Sequence, residues 1–482
     1  MSRTYSFMAR TGISGLVISL LLEGCSVGPK YRAPTPALAP FHNVVDGSAS
    51  SSTVTPPLDQ WWTGFNDPML VTVVERALNQ NLDLSAALAR VSQARAAAAG
   101  AGAKLYPTGE FDASATVQRQ SLQGNLGTIA SGVPTYRRDI REYTIGPSAS
   151  WEIDLSGGLR HNAAASRDEA QAAETEQIGT RVIVAADAAD AYLQVRGYQA
   201  RLAIAKNQIA TDEHLLQLVR NRQAAGAGTG REIAQAEALL QQARSTVPLL
   251  RLSLEKQLNR LDVLMGAQPG TYAHELDTVT AIPSVPAIAN QEPTDVLRRR
   301  PDIIAAERRL AASNERIGVA ISEYYPKVSL TGILGLDSLN SGHLFTSSAF
   351  QPGAVAGLRW RLFDFGRVDA EVKQARGANA EALVAYREAV LHAAEDVENA
   401  LATLSETQAY GVELQAEVKS LTRARDLSQE SYRAGSITLT DVLDADRELL
   451  AAQDQLDANR ANSTRAAVVV FRSFGGGWKS PI

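Results

Sequence analysis

Two stretches of the chain alternate apolar and polar residues without a break. Phe111, Ala113, Ala115 and Val117 are interleaved with Asp112, Ser114, Thr116 and Gln118. Tyr143, Ile145, Pro147, Ala149, Trp151 and Ile153 are set against Glu142, Thr144, Ser148, Ser150 and Glu152. A period of two sends each set to its own face, which predicts strands over about 110–119 and 142–154. Farther on, Val328, Leu330, Leu334 and Leu336 alternate with Ser329, Thr331 and Asp337, and Leu358, Trp360 and Leu362 with Arg359 and Arg361, predicting strands over about 328–337 and 354–364.

Between these hairpins the pattern changes to a helical one. From Gly157 to Gly226, and again from Gly366 to Gly435, the chain runs 69 positions with no proline. An unbroken helix of that length reaches ~100 Å, too long for a globular core. Leu240, Val247, Leu254 and Leu261 recur every seven residues alongside Leu250 and Leu264, as do Leu202, Ile209 and Leu216. That spacing suits antiparallel coiled-coil packing. Pro248 falls inside the return helix and is expected to bend it.

The chain repeats itself. "NLDLSAALARVSQARAAAAGAGAKLYP" (81–107) aligns without gaps on "RPDIIAAERRLAASNERIGVAISEYYP" (300–326) at an offset of 219, and "WEIDLSGGLR" (151–160) echoes "WRLFDFGR" (360–367) at 209. The first copy therefore has the longer loop between its strands. The first repeat, 66–270, is expected to hold a helix, the two strands, a long helix over 157–225 and a return helix over 229–265. The second, 285–478, is expected to hold a helix over 294–324, two strands, a long helix over 367–434 and a return helix over 438–472. Strands of this length, apolar on one face and charged on the other, fit a membrane barrel or an amphipathic sheet on a soluble core. Four strands close no barrel by themselves, since about eight is the minimum, so a barrel requires several chains to pool their strands.

Composition adds an export signal. Arg3 and Arg10 precede an apolar run from Gly15 to Leu22 that stops at "LLEGCS", marking 1–24 as a secretory signal. Leu22, Gly24 and Cys25 resemble a bacterial lipoprotein processing box, which implies an acylated (palmitate-bearing) Cys25; Glu23 departs from that box, and Ser26 resembles an outer-membrane sorting residue. A plain cleaved signal or a single N-terminal helix are the other readings of the same run. Residues 25–65, rich in Pro, Ser, Ala and Thr at their start, are expected to form an extended tether. The single cysteine forms no internal disulfide. A net charge of −5 lacks the basic surplus of a nucleic-acid binder.

The stretches "DQWWTGFNDPML" (59–70), "RRRPDIIAAERRLAASNERIGVAISEYYPKVSLTG" (298–332), "WRLFDFGR", "YRAGSITLTDVLDADREL" (432–449) and "FGGGW" (474–478), in this order on a matching duplication, closely resemble the outer-membrane channels of tripartite efflux pumps, the TolC and OprM type, and especially its lipoprotein branch. The resemblance covers nearly the whole chain after the signal. It implies a mixed α and β membrane protein: a homotrimer with a twelve-stranded outer-membrane barrel, four strands per chain, continued by a helical barrel across the periplasm. It also implies a periplasmic adaptor and an inner-membrane RND-type transporter as partners, passive passage of substrate, and no cofactor. By the same resemblance, Asp441 and Asp444 match carboxylate rings at a periplasmic constriction, with Arg447 beside the aperture and Thr440 where relatives carry an apolar plug. Tyr432 and Glu232 match residues that tie neighbouring helices shut, while Ile437 stands where a basic latch is found.

Without the resemblance, Asp441, Asp444 and Arg447 are a spaced-by-three helix face, with Asp446 pointing elsewhere. Such a face is a solvated surface, a partial Mg²⁺ site or an acid–base pair. The six histidines lack ligand spacing. "GAGTGRE" (226–232) follows a helix and lacks Lys-Ser/Thr, so a helix-to-helix turn fits it better than a phosphate loop. The alternative function on these grounds is a periplasmic coiled-coil lipoprotein with a structural or adaptor role.

Overall fold

The computed structural model describes residues 27–35, 39–43, 56–130, 132–133, 137–289 and 291–479. The signal, Cys25 and much of the expected tether lie outside the described residues. Among the described residues four strands are formed, β1 (Thr108–Arg119), β2 (Asp139–Ile153), β3 (Lys327–Ser338) and β4 (Phe350–Arg359). Eight helices carry the rest: α1 (Pro68–Gln80), α2 (Leu82–Ala103), α3 (Gly158–Ala224), α4 (Gly230–Leu264), α5 (Pro293–Arg299), α6 (Pro301–Ser322), α7 (Arg367–Arg433) and α8 (Leu439–Ser473), with a six-residue loop helix and short 3-10 turns besides. The duplication is visible in the lengths: α2 and α6 have 22 residues each, α3 and α7 have 67, and α4 and α8 have 35.

The chain divides into two compact units. One consists of Ser92–Ala172 and Glu307–Ala385 with the described part of Met1–Pro34; the other of Thr35–Val91, Ala173–Ala306 and Tyr386–Ile482.

In the first unit the strands form one antiparallel sheet in the order β1-β2-β3-β4. Thr108 pairs with Ser150 in the first hairpin and Lys327 with Arg359 in the second, so both hairpins share one register under the repeat offsets. The entry to each long helix is also duplicated. Trp151 donates its indole N–H to the Leu105 carbonyl at 3.0 Å, and Trp360 donates to that of Tyr324 at 2.9 Å. Gly157 and Gly366 turn the chain at φ +86° and +85°, a region that favours glycine. Asp154 then accepts from the Leu159 and Arg160 amides, and Asp364 from those of Gly366 and Val368, satisfying helix-start donors that otherwise lack partners. The described start of the chain lies against this unit: Val27 N–H donates to Ser156 O at 3.1 Å, and Asn314 donates to Pro29 O at 3.0 Å.

The outer strands are bare. β1 is exposed at all twelve positions and β4 at nine of ten. β4 also differs from the expected 354–364, since it starts at Phe350 and stops at Arg359 although the alternation continues through Trp360 and Leu362. β2 reaches Ile153 because β3 pairs with it there, whereas nothing pairs with the corresponding end of β4.

The second unit is built on a helical core. Trp61, Trp62 and Phe65 insert beside Val73 and Val74 of α1, Tyr192 of α3, Leu261 of α4, Leu404 of α7 and Phe471 of α8. Trp61 stacks on Phe471 with centroids 5.4 Å apart. The stretch 58–65, expected as the end of the tether, is therefore a folded 3-10 helix, Leu58–Phe65. Three large aromatics in one turn bury too much apolar surface to remain a solvated linker. Alanine and glycine let helices approach closely: a Cβ on Gly197 of α3 would sit 2.8 Å from that of Ala461 on α8. Gly477 N–H donates to Leu58 O at 2.7 Å, which pins the "FGGGW" end to the same core.

One helix expectation changes here. The helix foreseen over 294–324 breaks at Arg300, whose extended backbone (ψ 121°) follows from the proline after it. Buried Arg300 bridges the break by pairing with Asp302 at 2.7 Å and Asp396 at 2.8 Å. α4 runs through Pro248 as one helix, and the hydroxyls of Ser245 and Thr246 donate to the Gln242 and Ala243 carbonyls in the turn before the ring.

Candidate functional site

Tyr432, Thr440, Asp441, Asp444 and Arg447 gather at the turn between α7 and α8, and Glu232 lies at its twin between α3 and α4. At each turn glycine takes a left-handed conformation, Gly226 at φ +74° and Gly435 at +77°. The Ala227 amide donates to Arg222 O and the Ser436 amide to Ser431 O, both at 2.9 Å, completing Schellman closures. The next helix is then started by a threonine. Glu232 returns its carboxylate to the Thr229 amide at 2.6 Å, and Asp441 returns its own to the Thr438 amide at 2.9 Å and hydroxyl at 2.7 Å. Both are capping boxes.

This gives Asp441 a second task. The Thr438 hydroxyl and amide hold its carboxyl below the usual carboxylate range, so it stays charged on an exposed surface. One turn later, Asp444 accepts from Arg447 at 3.1 Å, with both side chains more than half exposed. Thr440 is exposed beside them. Asp441, Asp444, Arg447 and Thr440 thus share the solvent side at the start of α8. Ile437 instead packs on the apolar cluster under the turn.

Tyr432 lies inside that cluster, 2% exposed, with Leu215, Val219, Leu240, Leu439 and Val442. The Arg222 guanidinium lies 4.3 Å from its ring centroid and donates to its carbonyl at 2.8 Å. Burial raises the phenol's pKa. The Tyr432 hydroxyl has no hydrogen-bond partner among the described residues, so no such bond joins it to Glu232, whose carboxylate is held by Thr229.

Beneath the exposed face lies a feature absent from the sequence expectations. Asp212 on α3 and Asp446 on α8 are 1% and 2% exposed, and each keeps one carboxylate oxygen without a hydrogen bond. Asp212 accepts from Gln208 at 2.8 Å. Burial, opposed by that bond and reinforced by the Asp446 charge, pushes its pKa up to about 6. Asp446 is also raised by burial, against the pull of Arg425 at 3.8 Å and of Gln429. The signal was present: Leu202, Ala205, Ile209, Asp212, Leu216 and Val219 follow a coiled-coil seam, with the acid on a position that belongs to an apolar residue. Asp446 interrupts the seam of Leu439, Val442 and Leu449 in the same way.

Among the described residues no helix is long and apolar enough to cross a bilayer. The part with membrane-strand patterning is the sheet.

Comparison with known proteins agrees with this architecture. Residues 73–267 and 293–476 each match the family model described as outer membrane efflux protein, one match per repeat. The pyoverdine export outer membrane protein OpmQ of Pseudomonas putida is 34% identical over 473 residues, covering 96% of this chain and 97% of that protein. OpmQ of Pseudomonas aeruginosa is 31% identical over 474 residues, covering 98% of both. The solved outer-membrane channel OprN superposes with a TM-score of 0.86 at 32% identity, over 94% of this chain and all of that one. The sheet, the paired long helices and the twofold match place the fold with the trimeric barrels that continue into a helical duct. On these grounds, the chain belongs to the outer membrane efflux protein family.

Proposed function

We propose that three copies of this chain form the exit duct of a tripartite efflux pump, gated at the α7–α8 turns. A periplasmic adaptor and an inner-membrane transporter of the RND type dock there, and small molecules pass outward without chemistry in this subunit. The observation that carries the gate is the exposed charge at the start of α8, where Asp441 is kept ionised by its cap and Asp444 stands one turn on. In a threefold assembly each becomes a ring of carboxylates, and such rings select cations and hold multivalent ones. Arg447 moderates the second ring, and Thr440 lines the aperture with a hydroxyl. Tyr432 and Glu232 tie the tip to a neighbouring copy, a role supported by the Tyr432 hydroxyl that finds no partner among the described residues of its own chain. Cys25, acylated once 1–24 is removed, anchors the mature N-terminus in lipid; mass spectrometry that finds the mature chain with an unmodified Cys25 ends that part of the proposal.

The test is single-channel conductance in a planar bilayer, with and without a trivalent cation. The wild type is expected to be cation-preferring and blocked by the trivalent ion, and the double variant Asp441→Asn/Asp444→Asn to lose the block. A pore whose block is unchanged puts the constriction elsewhere, and a folded trimer that conducts nothing overturns the duct.

A further inference from the structure

The two free edges of the sheet, β1 and β4, carry the information needed to predict how one chain pairs with the next. Within the chain the two hairpins obey one register: the β1–β2 pair Thr108–Ser150 becomes the β3–β4 pair Lys327–Arg359 when the first strand moves on by 219 and the second by 209. The remaining internal contact, β2 against β3, joins the end of one repeat unit to the start of the next. In a closed ring the same relation recurs between β4 of one copy and β1 of its neighbour. This step rests on the trimeric reading above.

We infer that β4 of one copy pairs with β1 of a second copy in the register that β2 and β3 already use, placing Arg359 opposite Asp112 and Arg361 opposite Glu110. Under the repeat offsets, the pair Ser150–Thr331 becomes Arg359–Asp112, Glu152–Ser329 becomes Arg361–Glu110, and Trp151–Leu330 becomes Trp360–Phe111.

Three independent observations support this register. Opposite charges meet on one face and two aromatics on the other, although charge took no part in deriving the alignment. A slip of two residues, which keeps each face matched, retains one such pair and loses the other: Arg359 against Glu110 leaves Arg361 against Thr108, and Arg361 against Asp112 leaves Arg359 against Ser114. Lys327, itself paired with Glu323, lies directly opposite Arg359 within the hairpin, so Arg359 has a cation on one flank that an acid on the other offsets. Finally, β2 extends three residues beyond its last partner on β1, held there by β3, while β4 stops at Arg359 with that flank bare. Pairing with a second β1 extends β4 through Leu362. Arg361 already contacts Glu323 at 3.0 Å and Glu371 at 3.3 Å, so Arg359, with no carboxylate partner among the described residues, gains most from the seam, and the slip that keeps it against Glu110 sets Trp360 against Gly109 in place of Phe111.

Cysteine pairs read the register directly. Val117 and Ala354 are predicted to face each other across the seam, as Ile145 and Leu336 do inside the chain. Opposed Cβ atoms lie about 4.5–5.5 Å apart and diagonal ones about 7–8 Å, so only the first are near disulfide range. Two strands separate β1 from β4 within a chain, so a bond between them joins two copies. In outer membranes treated with an oxidant, Val117→Cys/Ala354→Cys is expected to give cross-linked dimer and trimer bands. Ala115→Cys/Ala354→Cys and Val117→Cys/Ala356→Cys are expected to match the parent, which carries Cys25 alone. Cross-linking in a shifted pair instead, or none in any pair of a particle of trimer mass, overturns the register and leaves the duct standing. A particle of single-chain mass overturns the trimer and the seam with it. Independently, Arg359→Asp and Asp112→Arg should each lower the trimer fraction surviving detergent, and the two together should restore it; a double variant as weak as the singles refutes the ion pair.

Discussion

At the turn after α3 the chain carries Arg231, Glu232, Gln235 and Glu237; 209 positions on, the turn after α7 carries Thr440, Asp441, Asp444 and Asp446. The backbone does not distinguish them, since both close on a left-handed glycine and restart with a threonine capping box. The side chains do. Glu237 is half exposed and pairs with Arg220 at 2.7 Å, whereas its counterpart Asp446 is buried and meets Gln429 where the first turn has that arginine. Exposed Gln223 corresponds to buried Tyr432. Duplication thus supplied a reliable hairpin twice, and the second copy concentrates unusual charge and a buried phenol on it.

The largest separation between the turns is expected from truncating Tyr432. Its ring fills the cluster beneath both turns, so Tyr432→Ala should cost about 3–5 kcal/mol locally, the range for emptying a buried aromatic site. Gln223→Ala removes nothing buried and should leave exchange unchanged. Amide hydrogen exchange in α7 and α8 near Gly435 checks the contrast. Equal protection in both variants would mean that the cluster does not hold the tip.

An intermediate effect is expected at Asp212. Its folded pKa, about 6, lies above the unfolded carboxylate value, so folding favours the protonated form. Its contribution is therefore fully present below about pH 4 and lost as pH rises through about 6. Ionisation of Asp212 puts a charge into the seam, where Asp446 lies as a like charge that Arg425 of α7 partly offsets. Exchange protection at the tip should fall between about pH 4 and pH 6 in the wild type. Asp212→Asn, which retains an acceptor for Gln208, should flatten that slope and gain on the order of 2 kcal/mol at neutral pH. An unchanged slope would assign the pH dependence to another group.

How much of this was legible follows from where the determining forces act. Strict alternation through 111–118 and 143–153 marked strands because one face must differ from the other, and heptads in α3 and α4 marked packed helices for the same reason. The end of β4 was misplaced because alternation records which face a residue takes and is silent on whether a partner strand is present. The aromatic run at 61–65 reads as linker from its polar flanks, whereas the burial of Trp61, Trp62 and Phe65 decides the matter. At the site, Asp441 and Asp444 were found by resemblance. Asp212 was missed because seven-residue spacing was followed along one row of the seam, Leu202, Ile209 and Leu216, and the acid sits on the other.

The smallest stability effect should accompany a clear functional one. Asp444 and Arg447 form an exposed pair within a single helix, and such pairs contribute roughly 0.3–0.5 kcal/mol. Arg447→Ala should therefore leave the melting of the trimer almost unmoved. It also removes the cation that partly neutralises Asp444, so trivalent block should become tighter than in the wild type. The first turn offers the matching control: Gln235→Asp places an acid at the equivalent position, where Ala238 supplies no counter-ion. If block tightens only in Arg447→Ala, the second turn alone faces the constriction, and the asymmetry between the repeats is what makes the gate. If both variants tighten it, the two turns alternate around the aperture and the constriction draws on six helix starts instead of three.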